Sequence, residues 1–378
     1  MKPLKVLVLS CNTGGGHNSA ADAICTEFAD MGIGADRVDG LSFATKNTSR
    51  NICRTYINMT IKAPAAFGLV YNAGRAISTA MKKSPVYFLN SLYAKKLLEY
   101  INENGYTDVI CTHLFPAEAM TYLRRNDLCS VRTYAVATDY TCIPFWQEIE
   151  PDCHFIPHHD LLSVYEQRGI KAENMLATGI PVSKKFYAPP DRDQARRQLS
   201  IPADAEMILV MSGSMGFGNV SDMVGEILKD KRENTIVCVL AGNNEKLKNI
   251  LKKNFADRKD VRVIPFTTEV NKYMASADVI LTKPGGLTST EAAAMRVPLV
   301  HTEPIPGCET CNSVFFSERG ISVTAANAKQ AAEKAIMLCR EQTARLDMKN
   351  AQQQHIDPFA VSKICSYVKK ESEERVNA

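Results

Sequence analysis

Short apolar runs alternate with longer amphipathic stretches along this chain. Residues 4–9 are largely apolar, as a strand covered on both faces must be, and residues 18–31 follow with helical spacing. Runs at 108–111, 134–137 and 175–177 continue the series, with a long insertion of mostly helical character at 41–100. The polar, proline-bearing stretch 181–202 reads as a linker. A second series then begins, at 207–211, 235–240, 261–264, 279–281 and 299–301, each run separated from the next by a helix-length segment. Alternation of this kind implies parallel sheets with right-handed crossovers. The pattern predicts an α/β protein of two Rossmann-like domains facing each other across a cleft, spanning 1–183 and 184–357. Pro358 opens a final helix to about residue 368, followed by a charged tail expected to fray. Residues 358–378 are expected to pack back on the N-terminal domain.

Composition narrows the function classes. The 378 residues carry a net charge of +4 with 23% charged side chains, so the whole molecule is no binder of nucleic acid or other polyanions. No apolar run approaches the roughly 18 residues of a membrane span, and residues 4–9 are too short a run for a signal peptide. The twelve cysteines are scattered, and Cys111 and Cys238 fall inside predicted buried strands. Such usage fits reduced thiols and a cytoplasmic location. The Cys308-x-x-Cys311 pair has no second pair at zinc-site spacing and reads as a loop with two thiols.

Candidate chemistry sits in the turns that end the strands. The first strand runs into Thr13-Gly14-Gly15-Gly16-His17. Glycines there let a backbone approach a ligand closely, and the amides of the following helix start favour an anion or a polar oxygen. His17, beside the positive end of a helix dipole, is expected to stay neutral and able to accept a proton. In the second series, one strand runs into Ser212-Gly213-Ser214-Met215-Gly216 and another into Lys283-Pro284-Gly285-Gly286-Leu287-Thr288-Ser289-Thr290-Glu291. Amides and hydroxyls at a helix start suit a diphosphate, and a carboxylate one turn in can accept from ribose hydroxyls. Thr288 and Glu291 also have the spacing of a capping box.

At these residues the chain resembles the monogalactosyl- and glucosyl-diacylglycerol synthases, and more distantly the lipid II-forming N-acetylglucosaminyltransferase. The likeness rests on Gly14–His17, on Lys283–Glu291 and on Pro304-Ile305-Pro306-Gly307-x-Glu309-x-x-Asn312. It implies the glycosyltransferase B fold and a UDP-sugar donor, UDP-glucose or UDP-galactose. It also implies an inverting reaction that needs no metal or other cofactor, and diacylglycerol or a related lipid as acceptor. Carried over residue by residue, Gly14, Gly15, Gly16 and His113 lie on the acceptor side, with His17 or Asp139 as base. Phe266 holds the uracil ring. Ser212, Gly213, Ser214, Met215, Gly216, Thr288 and Ser289 serve the diphosphate, assisted by Lys283, with Gly285, Gly286 and Leu287 also on the donor side. Glu291 takes the ribose, and Glu309 with Asn312 the sugar hydroxyls. Ile143 stands where many relatives have His, and Leu114 where Pro is usual, both on the acceptor side.

Two rival readings share the donor-binding half. A UDP-N-acetylglucosamine 2-epimerase would need no acceptor, and a non-catalytic UDP-sugar sensor would bind donor without turnover. The insertion argues against the first, and turnover with an acceptor would argue against the second. Residues 41–100 hold nine basic side chains (Lys46, Arg50, Arg54, Lys62, Arg75, Lys82, Lys83, Lys95 and Lys96) against Glu99 alone. Among them lie Phe43, Tyr56, Ile57, Met59, Phe67, Leu69, Tyr71, Met81, Tyr87, Phe88 and Tyr93. This mixture suits the headgroup region of an anionic membrane, so the protein is expected to be peripheral on the inner face of the cell membrane.

Overall fold

The computed structural model describes residues 3–44, 68–69, 71–74, 76, 78, 83–212 and 219–377. By its contacts the chain divides into two units. The first is Met1–Ser183 with Pro306–Cys308 and Pro358–Ala378, and the second is Lys184–Ile305 with Glu309–Asp357.

The first unit holds a parallel six-stranded sheet in the order β2-β1-β3-β4-β5-β6. Its strands are β1 (Lys5–Ser10), β2 (Gly34–Asp39), β3 (Asp108–Cys111), β4 (Arg132–Val136), β5 (Cys153–Ile156) and β6 (Met175–Ala177). Val6, Leu7, Val8 and Leu9 of β1 are fully buried, as are Val109, Ile110 and Cys111 of β3. β1 lies between β2 and β3, so the chain winds outward to β2 and then reverses direction at β3. That reversal is a topological switch point, where open α/β sheets place ligands beyond the carboxyl ends of the strands.

The second unit repeats the scheme in the order β12-β11-β10-β7-β8-β9. These are β7 (Glu206–Met211), β8 (Thr235–Gly242), β9 (Val261–Pro265), β10 (Val279–Thr282), β11 (Leu299–His301) and β12 (Val323–Thr324). Its switch point lies between β7 and β10, which pair from Ile208↔Val279 to Met211↔Thr282.

Four sequence expectations need correction. β2, β5 and β12 were not expected from the apolar pattern. The first helix starts at Gly15, three residues earlier than the spacing indicated. The stretch 181–202 is no bare linker, for it contains helices Lys184–Tyr187 and Arg192–Gln198. Arg196 in the latter is 2% exposed and saturates its guanidinium on the carbonyls of Ser276, Pro202, Ala203 and Ala205 and on Asp278. The last helix runs Ala360–Asn377 instead of fraying near residue 368. Arg375 is paired with buried Asp108 at 2.6 Å, and Glu371 with Arg132 at 3.2 Å. These partners are distant in sequence, so the charged tail read as solvated. Among the described residues no helix is long and apolar enough to cross a membrane.

Candidate active site

In the first unit, β1 delivers its turn to the switch point beside the end of β3. Gly14, in extended backbone, caps helix Gly15–Asp30 without a side-chain bond. A Cβ at Gly14 would meet nothing within 4 Å, so packing does not demand the glycine and open space lies beside it. A chain of side-chain bonds fixes the turn: Ser10 Oγ to Asn18 (2.7 Å), Asn18 to Asn12 (2.8 Å) and Asn12 to Asp39 (2.7 Å).

His17, in the first turn of this helix, has its Nδ1 2.9 Å from the carbonyl oxygen of Thr112 and 3.0 Å from Thr138 Oγ1. A carbonyl only accepts, so Nδ1 carries the proton and Nε2 is the basic nitrogen. The hydroxyl of Thr112 donates to the carbonyl of His17 (3.1 Å), locking the two segments together. Next to it, His113 Nδ1 accepts from the amide of Phe115 (3.2 Å), which leaves Nε2–H to donate to Thr13 Oγ1 (3.1 Å). The two imidazoles meet edge to face, centroids 4.6 Å apart. Burial holds the His17 pKa below its ordinary value, against the opposing pull of the Thr112 carbonyl. Burial, and then the neighbouring His17, hold His113 lower still. Both rings are therefore neutral near pH 7. Asp139 is not among the hydrogen-bond partners of His17.

His17, His113 and Asp139 border a cavity of about 310 Å³ within the first unit. Apart from four threonines its other walls are mostly apolar, including Tyr71, Phe115, Ile143, Phe145 and Trp146. Phe145 adopts φ 68° and its amide donates to Ser78 Oγ at 2.9 Å, turning the 143–146 segment toward the cavity. Ile143 thus makes this wall apolar where the resemblance led one to look for an imidazole. Gly307, of the Pro304–Gly307 motif, sits at φ 122° with the Tyr71 ring 3.1 Å from where its Cβ would be. Only glycine fits that backbone and that contact.

In the second unit, Ser212 follows β7, Phe266 follows β9 and Lys283 follows β10, all at the carboxyl ends of strands. Gly213, Ser214, Met215 and Gly216 lie outside the described residues. Phe266 is 62% exposed, an unpacked aromatic at the sheet edge. Lys283 pairs with Glu309, whose second oxygen accepts from the Ile305 amide (3.0 Å). Asn312 donates to the carbonyl of Pro284 (3.0 Å). The Lys283–Pro284 turn and helix Cys308–Glu318 are therefore pinned together, and Lys283, Glu309 and Asn312 form one cluster. Helix Gly286–Ala294 begins at Gly286 with Gly285 as its cap, so Thr288 and Glu291 form no capping box. Thr288 is partly exposed at the helix start. Ser289 is not presented to a ligand: it is fully buried and bonded to His301 Nε2 at 2.8 Å. The hydroxyl of Ser212 is likewise turned inward, to the Leu240 carbonyl (3.1 Å). Glu291 is buried, which raises its pKa to about 8, moderated by Lys185. Cys308 and Cys311 lie in a helix, where the sequence suggested a loop.

Sequence reasoning missed the partners of His17. Thr112 and Thr138 do precede His113 and Asp139 at strand ends, and that repeated Thr-x placement was the available signal. It also missed Lys185, which faces Glu291 from helix Lys184–Tyr187.

Residues 17–182 match the monogalactosyldiacylglycerol (MGDG) synthase family model, and residues 207–302 the glycosyltransferase family 28 C-terminal domain. A processive diacylglycerol beta-glucosyltransferase of Bacillus cytotoxicus is 25% identical over all of this chain and 96% of its own length. One of the same name from Staphylococcus aureus is 25% identical, covering 96% of this chain and 91% of its own. Among solved structures, MurG of Acinetobacter baumannii superposes with TM-score 0.59 at 15% identity, covering 97% of this chain and all of its own. A putative UDP-N-acetylglucosamine 2-epimerase from Listeria monocytogenes reaches TM-score 0.65 at 13% identity, covering 99% and 98%. At those identities the structural likeness establishes the fold alone, the two α/β units of the glycosyltransferase B type.

Proposed function

The chain belongs to the family 28 glycosyltransferases, with an N-terminal half of monogalactosyldiacylglycerol synthase type, and from that premise we propose that it is an inverting transferase moving a hexose from a UDP-sugar to the free hydroxyl of diacylglycerol. The relatives' name favours glucose over galactose. The observation that carries the reading is the basic Nε2 of His17 beside an apolar cavity large enough for part of a lipid.

In this reading His17 Nε2 takes the proton of the acceptor hydroxyl as its oxygen attacks the anomeric carbon. The bond from that carbon to the UDP oxygen breaks, and the departing diphosphate gains charge. Amides at the start of helix Gly286–Ala294 stabilise that charge without a metal. The ring of Phe266 stacks on the uracil, Glu291 accepts from the ribose, and the Lys283–Glu309–Asn312 cluster faces the hexose. Thr13 and His113 complete the acceptor side.

Membrane docking belongs to the same proposal. Helix Pro85–Ser91 buries Tyr87 and Asn90 and turns Phe88 and Leu89 outward, followed by Leu92 at 79% exposed. Exposed Lys83, Lys95 and Lys96 flank this apolar face. Such a surface supports a peripheral position on an anionic bilayer, which we assign to the inner leaflet. Tyr87 and Tyr93 are core residues and take no part in it. Of the remaining insertion residues, Lys46, Arg50, Arg54, Tyr56, Ile57, Met59, Lys62, Phe67, Arg75, Met81 and Lys82 lie outside the described residues.

The test is incubation with labelled UDP-glucose or UDP-galactose and vesicles containing diacylglycerol. A β-linked glycolipid is the expected product. Conversion of UDP-N-acetylglucosamine with no acceptor present, or UDP binding with no product from any lipid, would overturn the reading in favour of an epimerase or a sensor.

A further inference from the structure

We propose that the second unit carries an anion-binding pocket, distinct from its nucleotide residues, that takes a phosphate group. The pocket is a cavity of about 240 Å³ at the amino-terminal edge of the sheet, where Ala277 and Asp278 lead into β10 and Val297 and Pro298 into β11. Ser212, Lys283 and helix Gly286–Ala294 lie at the opposite ends of these strands. Four residues of β10 separate the two ends, a span on the order of 13 Å.

Four cationic side chains line the cavity: Arg192, Arg296, Arg345 and Lys349. The acidic residue in its wall is Asp278, and that carboxylate is already engaged. One oxygen pairs with Arg192 at 2.7 Å, and the other with buried Arg196 at 3.0 Å and the Met207 amide at 2.8 Å. Among the described residues no carboxylate pairs with Arg296, Arg345 or Lys349. Arg345 donates to the neutral carbonyls of Leu338 and Cys339. Arg345 and Lys349 stand four residues apart on helix Gln342–His355, a spacing at which like charges repel. Burial, then Arg192 and Arg345, push the Lys349 pKa below its ordinary value, against a smaller opposing pull from Asp278.

A half-buried ammonium among guanidinium groups is unfavourable unless an anion sits with it. Guanidinium forks plus one lysine match the oxygens of a phosphate, by bidentate and point-charge contacts respectively. The volume exceeds a single phosphate ion, so a phosphate monoester or diester with its first carbons also fits. Orthophosphate and the headgroup of an anionic phospholipid present the same group, and the experiment separates them.

Binding of inorganic phosphate and of dihexanoyl phosphatidic acid below its micellar concentration is measured by calorimetry, with UDP present to occupy any diphosphate site. The parent protein should bind at least one probe saturably. Lys349→Met and Arg345→Gln should each lose at least tenfold in affinity while keeping the parent's melting temperature without ligand to within a few degrees. If one variant misfolds, the other carries the test. A tenfold preference for the lipid assigns a headgroup and equal affinities assign the free ion, and either result upholds the pocket. No saturable binding of either probe, or equal affinities in parent and a folded variant, overturns it. Neither readout depends on glycosyl transfer, so failure here is distinct from failure of the catalytic reading.

Discussion

The Nδ1 atom of His17 lies 2.9 Å from the carbonyl oxygen of Thr112, and this one contact fixes which nitrogen of the imidazole is basic. Many histidine bases are oriented by a carboxylate, which also stabilises the imidazolium that forms. Here a backbone carbonyl and the Thr138 hydroxyl do the orienting. His17 is thereby held in the correct tautomer by neutral groups, and burial keeps its pKa low. His17 in turn adds to burial in holding the pKa of the adjoining His113 down.

Replacing His17 with Ala should lower turnover by roughly 10²–10⁴-fold, the range for a positioned general base, and leave UDP affinity unchanged. Steady-state rates and UDP calorimetry on the same preparation check both halves. Activity within a few-fold of the parent would shift the role of base to Asp139, which borders the same cavity.

The lowered His17 pKa sets the pH dependence. A base works when unprotonated, so kcat at saturating UDP-sugar, where the ribose holds Glu291 ionised, should stay level from alkaline pH down past 6.5, the ordinary histidine value, and fall only in more acid solution. An acid limb with its midpoint above 6.5 would contradict the buried, carbonyl-bound imidazole. Stability should follow the same sign. Burial lowers the pKa of His154 to about 4 and of His301 to about 3. As pH falls below 6.5 the unfolded chain protonates these histidines and the folded chain does not, so their contribution to folding free energy drops through the window from 6.5 toward 4. The buried carboxyl of Glu291, which the folded chain keeps protonated, acts with the opposite sign there, so the check is a shallower fall of melting temperature between pH 7.5 and 5 in His154→Gln than in the parent.

The two strand series were legible because parallel strands buried on both faces are almost uniformly apolar, as Val6–Leu9 and Met207–Val210 are. β2 was not, because it is an edge strand of sequence GADRVD with several exposed positions. β5, Cys-His-Phe-Ile, hides a histidine in the core, and β12 is two residues long. His17 could be picked out because a glycine-rich turn between a strand and a helix is a local pattern. Its hydrogen-bond partners were harder, since Thr112 and Thr138 come within reach only when β3 and β4 line up beside β1. Ser289 shows the reverse failure. Its place in a hydroxyl-rich helix start suggested a ligand contact, but helical rotation turns it inward onto His301.

Glu291 should reveal itself through proton linkage. Its buried carboxyl titrates at about 8 in the nucleotide-free structure. Accepting two ribose hydroxyls favours the ionised form, so UDP binding should release a proton between pH 7 and 8. Affinity should rise with pH across that interval, well above the titration of a terminal phosphate near about 6. Glu291→Gln should be flat over the same range, and Glu291→Ala should weaken UDP by about 1–3 kcal/mol. Calorimetry in two buffers of different ionisation enthalpy reads the proton directly. Unchanged affinity in the Ala variant would remove Glu291 from the ribose site.

The outward face of helix Pro85–Ser91 should decide where the enzyme works. Phe88, Leu89 and Leu92 are more than half exposed, whereas scattered single apolar residues are the norm on a surface that meets only water. Lys83, Lys95 and Lys96 beside them add attraction to anionic headgroups, on the order of 1 kcal/mol per basic residue. The two contributions can be separated. Changing the three lysines to Glu should abolish the preference for anionic over neutral vesicles and its weakening by salt. Changing Phe88 and Leu92 to Ser should reduce binding to both kinds of vesicle, because the loss is of apolar area. Neither set touches His17 or the residues we assign to the nucleotide. Turnover on diacylglycerol in detergent micelles should therefore persist in both variants while turnover on vesicles falls. Vesicle co-sedimentation at two salt concentrations, paired with the two assays, gives the answer. Vesicle binding equal to the parent's in both variants would show that this face meets water and that another surface of the chain reaches the lipid.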